Sequence, residues 1–195
     1  MIAQGTVNQF EKAIETAEKD GICLIIEFNT NGGMANSMEK IIEKIEPYSV
    51  DLIMLAGYML ILSGVLCNRY NIINLHPAKP NGPKGTWQEV IHQLIREREK
   101  ETGVMIHLVT EELDAGPVVT YCTFPIVGGK FNWDNVNADN RDSEQYRRLF
   151  NAIREEGVKR ELPMIYLTIK KIASGEIVIK NGKVYMNGET VNGVC

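Results

Sequence analysis

The sequence has no excess of positive charge: 25 acidic residues outnumber 21 basic ones, for a formal net charge of −4. Drawing in a phosphate backbone by counterion release needs a basic field, so nucleic acid is not an expected partner. Long apolar runs are also lacking. The longest uncharged stretch, Leu52–Asn68, has 17 residues and is interrupted by Gly57, Ser63 and Gly64. A membrane-spanning helix wants about 20 apolar positions, so no membrane association is expected. The first ten residues carry neither the cationic segment nor the apolar core of a secretory signal, which points to the cytoplasm. Cysteine is scarce and scattered. Cys23, Cys67, Cys122 and Cys195 form no Cys-x-x-Cys pair, and His76, His92 and His107 show no helical metal spacing. Reduced, structural thiols and no metal are expected, with two disulfides as the alternative.

What remains is an ordinary globular composition. A chain of 195 residues with 44% hydrophobic and 24% charged residues fits one domain with a sizeable core. Thr6 and Gln9 open a helix that Gly21 ends, Ile22–Ile26 reads as a buried strand, and Met38, Ile41, Ile42 and Ile45 form the stripe of a second helix stopped by Pro47. Leu52–Ala56 is an apolar strand. Ser63 caps a short helix reaching Tyr70, and a strand follows over Ile72–His76. Residues 77–86 hold three of the seven prolines and form a shaped, extended loop. Thr86 and Glu89 make a capping-box pattern before the stripe Trp87, Val90, Ile91, Leu94 and Ile95, with Gly103 as the expected helix stop. Strands at 104–109 and 118–124 pair as a hairpin. A helix from Asp142 to Gly157, another over 164–172, and Asn-Gly pairs at 181, 187 and 192 framing a terminal hairpin complete the chain. A parallel β/α half thus passes into an antiparallel part.

Asn74 and His76 lie two apart at the C-terminal end of a strand, so they project from one face, where α/β sheets place ligands. Asp114 sits in a loop, Leu113-Asp-Ala-Gly-Pro117, at the end of a second strand. An amide donor, an imidazole and a carboxylate suit acyl transfer without a covalent intermediate: donors hold a tetrahedral oxyanion and the carboxylate positions a water. Spacing alone leaves plainer alternatives open, a structural histidine at 76 and an Asx turn at 114.

Asn74-Leu-His-Pro77, Asp114 in Asp-Ala-Gly-Pro 38 residues after His76, and Leu55-Ala-Gly-Tyr-Met-Leu-Ile-Leu-Ser63 together resemble the folate-dependent formyltransferases, over roughly residues 10–125 and more loosely the C-terminal helix and hairpin. The resemblance implies an α/β fold: a Rossmann-type, mostly parallel sheet with helices on both faces, followed by C-terminal helices and a β-hairpin. Residues 1–141 would be the catalytic unit and 142–195 would pack on the same domain. Aligned by the strand Ile22–Ile26, the chain starts near the second helix of the family fold, so the fold is expected to be N-terminally shortened. The sheet edge this exposes predicts self-association.

In function the resemblance implies transfer of a formyl group from 10-formyltetrahydrofolate, the cosubstrate, to a small amine, phosphoribosylglycinamide first. Hydrolysis of the donor, a sugar-nucleotide amine as acceptor, and a noncatalytic folate-binding remnant are the alternatives. Asn74 and a protonated His76 would hold the oxyanion, and Asp114 would favour the charged imidazole and help a water move the proton. Met59, Leu60, Ile61 and Leu62, with Val109, Thr110, Glu111, Glu112 and Leu113, match segments that hold the pterin. Leu60 stands where the family usually has a basic residue, and Pro-Lys-Gly-Thr-Trp replaces a Pro-Gly-Leu-His-like sequence. The acceptor-side candidates are His107, Glu161, and Lys84 with the helix start at Thr86, where positive dipole and cation favour an anion.

Overall fold

The computed structural model of the protein describes residues 50–56 and 61–195. The two helices and the strand expected before Pro47, as well as Met59 and Leu60, lie outside the described residues. Strand β1 (Ile53–Ala56) leads to a short helix α1 (Gly64–Arg69) and strand β2 (Ile72–His76). Helix α2 (Trp87–Glu97), strands β3 (Glu101–Leu108) and β4 (Val118–Pro125) and the long helix α3 (Glu144–Ala173) follow. Three short strands close the chain, β5 (Ile177–Lys180), β6 (Lys183–Met186) and β7 (Glu189–Val191).

The architecture is α/β with a mixed sheet of order β1-β2-β3-β4. β1 and β2 run parallel, whereas β2–β3 and β3–β4 are antiparallel. The antiparallel part therefore begins one connection before the expected hairpin. Ile73 and Leu75 of β2 pack with Val104, Ile106 and Leu108 of β3 in one core, closed by Val119, Ile177 and Val184. Strand alternation sends Asn74 and His76 to the opposite side. All five residues of β2 are buried, as in a strand covered on both faces.

The end of α2 corrects the expected helix stop. Thr86 and Glu89 form the complete capping box, and Val90, Ile91, Leu94 and Ile95 are buried. It is Arg98, however, at φ 52°, that takes the left-handed cap and donates its N–H to Ile95 and Leu94. Gly103 lies inside β3, where a Cβ would stand 2.2 Å from the Cys122 carbonyl oxygen. The glycine signal was one of close strand approach, not of helix termination.

The two expected C-terminal helices are one helix of 30 residues with Pro163 inside it. Its apolar stripe lapses between Arg154 and Pro163, but ion pairs occupy the gap: Glu156 receives Lys130, Lys159 and Arg160, and Arg154 pairs with Glu161. The Glu156–Lys159 and Glu156–Arg160 pairs, three and four residues apart, support the helix surface, and Pro163 lies on the exposed side where water reaches the freed carbonyl. The terminal hairpin is there, turning at Asn181 (φ 52°) and Gly182 (φ 67°). A second such turn at Asn187-Gly188 adds β7, so the unit is a three-stranded meander. Beyond it, Val194 pairs with the edge of β4 through Val119 and Tyr121. Among the described residues no helix is long and apolar enough to cross a membrane.

Between β3 and β4 the chain turns back hard on itself. Leu108 donates its N–H to the Pro117 carbonyl at 2.9 Å, and Gly116 lies so close that a Cβ there would sit 1.8 Å from the Leu108 carbonyl oxygen. Gly116→Ala is expected to lower stability by roughly 1–3 kcal/mol, the range for forcing atoms into a packed site, read from urea denaturation midpoints. Thr86→Ala removes the N-cap acceptor of α2 and is expected to cost about 1 kcal/mol by the same measurement.

Candidate active site

Asn74 and His76 are buried, 6% and 2% exposed, at the end of β2. The antiparallel register sets Asn74 opposite His107 on β3, and the His76 and His107 rings meet edge to face with centroids 6.3 Å apart. The tight turn brings Asp114 back beneath both rings at φ 47°, a left-handed conformation uncommon outside glycine. Its carboxylate lies between them: Oδ2 is 3.4 Å from His76 Nδ1 and Oδ1 is 3.5 Å from His107 Nε2. The three residues expected to carry catalysis, and His107 from the acceptor-side candidates, thus converge at one buried point.

Two backbone contacts from the proline-rich loop complete this arrangement, and sequence reasoning missed both. The Gly85 N–H donates to Asp114 Oδ2 at 3.1 Å. His76 Nε2 lies 2.7 Å from the Pro83 carbonyl oxygen. A carbonyl only accepts, so Nε2 carries a proton and Nδ1 is the nitrogen that faces Asp114. The available signal was Gly85 itself, placed directly before the N-cap and held at φ 105°. His107 Nδ1 is similarly committed, at 2.8 Å, to the carbonyl of Leu108.

Burial pushes the His76 imidazole below its ordinary value, outweighing the Asp114 charge and the Pro83 carbonyl, which pull it up. Burial pulls the Asp114 carboxyl up, but the His107 contact, the His76 charge and the Gly85 N–H together leave it below its ordinary value. Asp114 is ionised.

Of the segments expected to hold a pterin, Ile61, Val109, Thr110, Glu112 and Leu113 line a small pocket of about 20 Å³ with Asn74, His107 and Asp114. Leu62 instead packs into a core with Leu55 and Ile72, and Glu111 folds over Gly64 at the start of α1. Asp114 also borders a second, larger cavity of about 470 Å³, walled by the 81–84 loop, the turn at 114–118 and the terminal meander. Lys84 lines that cavity and makes an exposed pair, at 3.7 Å, with Glu112. The other two acceptor-side candidates stand apart: Thr86 is engaged in its capping box, and Glu161 is bound by Arg154, whose guanidinium lies 4.7 Å from the Trp87 ring centre. Among the described residues no group of three His, Cys, Asp or Glu is arranged to hold a metal ion.

The Formyl transferase family model matches residues 3–153. Phosphoribosylglycinamide formyltransferase of Escherichia coli is 34% identical over 92 residues, covering 46% of this chain and 42% of that one. Its counterpart in Dictyostelium discoideum is 36% identical over 108 residues, covering 51% and 52%. The chain thus spans about half the length of these relatives. The crystal structure of phosphoribosylglycinamide formyltransferase from Campylobacter jejuni superposes with a TM-score of 0.53 at 27% identity, over 82% of this chain and 73% of that one. With the family match extending from residue 3 through both strands that carry Asn74, His76 and His107 and past Asp114, the chain belongs to the formyl transferase family.

Proposed function

We propose that the protein transfers a formyl group from 10-formyltetrahydrofolate to a small amine, with phosphoribosylglycinamide as the acceptor. The observation that carries this reading is the buried, ionised Asp114 held between His76 and His107 beside Asn74. Attack of an amine on the formyl carbon makes a tetrahedral oxyanion, which preorganised N–H donors stabilise. The Asn74 amide and His76 Nε2–H supply them. His76 does so by exchanging the Pro83 carbonyl it holds at rest for the formyl oxygen, since Nε2 already carries the proton to donate. As the bond between the formyl carbon and N10 breaks, the attacking amine loses a proton and N10 gains one. Asp114 orients the water that relays it.

The pterin would lie against Thr110–Leu113 and Ile61. A pocket of about 20 Å³ admits a water-sized group, so ring binding requires the Ile61 and Leu113 side chains, 56% and 36% exposed, to swing aside. Both are free enough of the core to do so.

Incubation with 10-formyltetrahydrofolate and phosphoribosylglycinamide is expected to yield formylated product, with little formate released when the amine is omitted. Equal formate release with and without the amine would replace transfer by hydrolysis, and no consumption of the donor would overturn the reading. Asn74→Ala is expected to lower turnover by about 10²–10³, the effect of removing one oxyanion donor. Asp114→Asn is expected to lower it by about 10²–10⁴. The same substitution removes the negative charge that raises the His76 pKa, so the imidazole should titrate lower still, as followed by NMR of its ring protons.

A further inference from the structure

We infer that the outward face of α3 is a contact surface for a second copy of this chain, laid antiparallel to the first about Leu162. The inference stands apart from the proposed formyl transfer. A surface helix normally carries one apolar stripe, turned to the core, with polar residues opposite it. α3 carries two. Ile153, Met164 and Thr168 face the interior. On the other side Val158, Leu162 and Tyr166 follow at intervals of four and are 44%, 75% and 65% exposed, and Ile169 and Ala173 continue the line. At about 100° per residue these five fall within roughly 80° of arc, over about 22 Å of helix. Single apolar residues on a surface need no explanation, but a contiguous stripe marks an interaction site. Reading two helices with a break after Gly157 hid this stripe, because it runs through the region between them.

The charges at its two ends say what covers it. Glu155 lies on the same arc, just before Val158, and Lys170 lies beside Ile169. Glu155 is only the outer partner of Lys130, at 3.7 Å against 2.6 Å for Glu156, an exposed pair of the kind worth little in water. Among the described residues Lys170 has no carboxylate within ion-pair distance, whereas its neighbour Lys171 is taken by Glu176. The stripe thus ends in a spare acid on the N-terminal side and a spare base on the C-terminal side.

A second helix laid alongside in the same direction sets acid on acid and base on base, which is unfavourable. Turned end for end, it sets each Glu155 beside the other copy's Lys170, places Val158 against Tyr166 and brings Leu162 to its own counterpart. One patch then meets itself, as a two-fold interface requires, and an apolar helical repeat with charges at its margins is the pattern by which helices pair and choose their orientation. One helix face per copy makes a small interface, so the association depends on concentration. It also moves the self-association expected from sequence away from a sheet edge, and the edge of β4 is in fact occupied by Val194.

Light scattering of the wild type at rising concentration should show a monomer–dimer equilibrium. Leu162→Asp changes an exposed position, so its urea midpoint should match wild type while dimerisation weakens by about tenfold or more. Glu155→Lys should weaken dimerisation too, and adding Lys170→Glu should restore it, because the swapped charges meet again in an antiparallel pair of like chains. Leu162→Cys should be captured as a covalent dimer by a short bismaleimide above the wild-type background, and Glu155→Cys should not, since it lies roughly 20 Å from its counterpart. A wild type that stays monomeric up to about 1 mM overturns the assignment and leaves the stripe to an unlike partner. A dimer that Leu162→Asp leaves intact, as one formed through a sheet edge would be, overturns it as well, and so does a loss in Glu155→Lys that the second charge reversal fails to restore.

Discussion

A carboxylate removed from water is costly unless it is paired and hydrogen-bonded, and Asp114, 6% exposed at its side chain, has two imidazoles at ion-pair distance and one backbone N–H donor, drawn from three segments. β2 supplies His76, β3 supplies His107, and the proline-rich loop supplies the Gly85 N–H. The first and last of these adjoin in sequence, and β3 lies beyond α2. Holding one buried charge therefore fixes the antiparallel docking of β3 on β2, the return of the 110–117 turn and the path of the loop before α2. Loss of the carboxylate leaves His76 with a weaker hold on its second nitrogen and the loop without its anchor, so chemistry and architecture are coupled at a single group.

The glycines around this site are where that coupling becomes steric. Gly116 is packed against the Leu108 carbonyl, where a side chain has no room, and only so tight a return sets Asp114 under the histidines. Gly85 at φ 105° sends its N–H toward Asp114 and starts the α2 cap with the next residue. One backbone bend thereby serves both the carboxylate and the helix. The Asp-Ala-Gly-Pro sequence is accordingly not a generic turn. Its glycine answers to the strand it packs on, its proline carbonyl to the Leu108 N–H, and its aspartate to two rings.

Local rules made much of this legible. The bounds of β2, the Thr86–Glu89 box and the Asn181-Gly182 turn follow from short-range chemistry, and the structure has all three. The convergence of Asn74, His76 and Asp114 was an expectation of the family resemblance, since spacing alone left a structural histidine and an Asx turn open, and the structure brings the three together. What escaped depends on distant partners. Gly103 read as a helix stop because its close neighbour is Cys122 across a strand pair, and the lapse in apolar periodicity around Gly157 read as a break because Lys130, on another segment, supplies Glu156 with a partner. The downward pull of burial on the His76 imidazole was hidden for a similar reason: a nearby carboxylate argues for an upward shift, and only the depth of burial opposes it.

The two imidazoles share one constraint. Each has one ring nitrogen committed to a backbone carbonyl, His76 Nε2 to Pro83 and His107 Nδ1 to Leu108, so each turns its other nitrogen to the same carboxylate. A ring nitrogen that faces a carboxylate is held well only as a donor, and an imidazole donates from both nitrogens only when it is charged. Burial opposes that charge at His76 while Asp114 favours it. Negative charge that develops beside Nε2, as the oxyanion of the proposed transfer would, adds to the pull of Asp114 and tips the balance toward the imidazolium. A contact that strengthens as charge develops is the kind that accelerates a reaction.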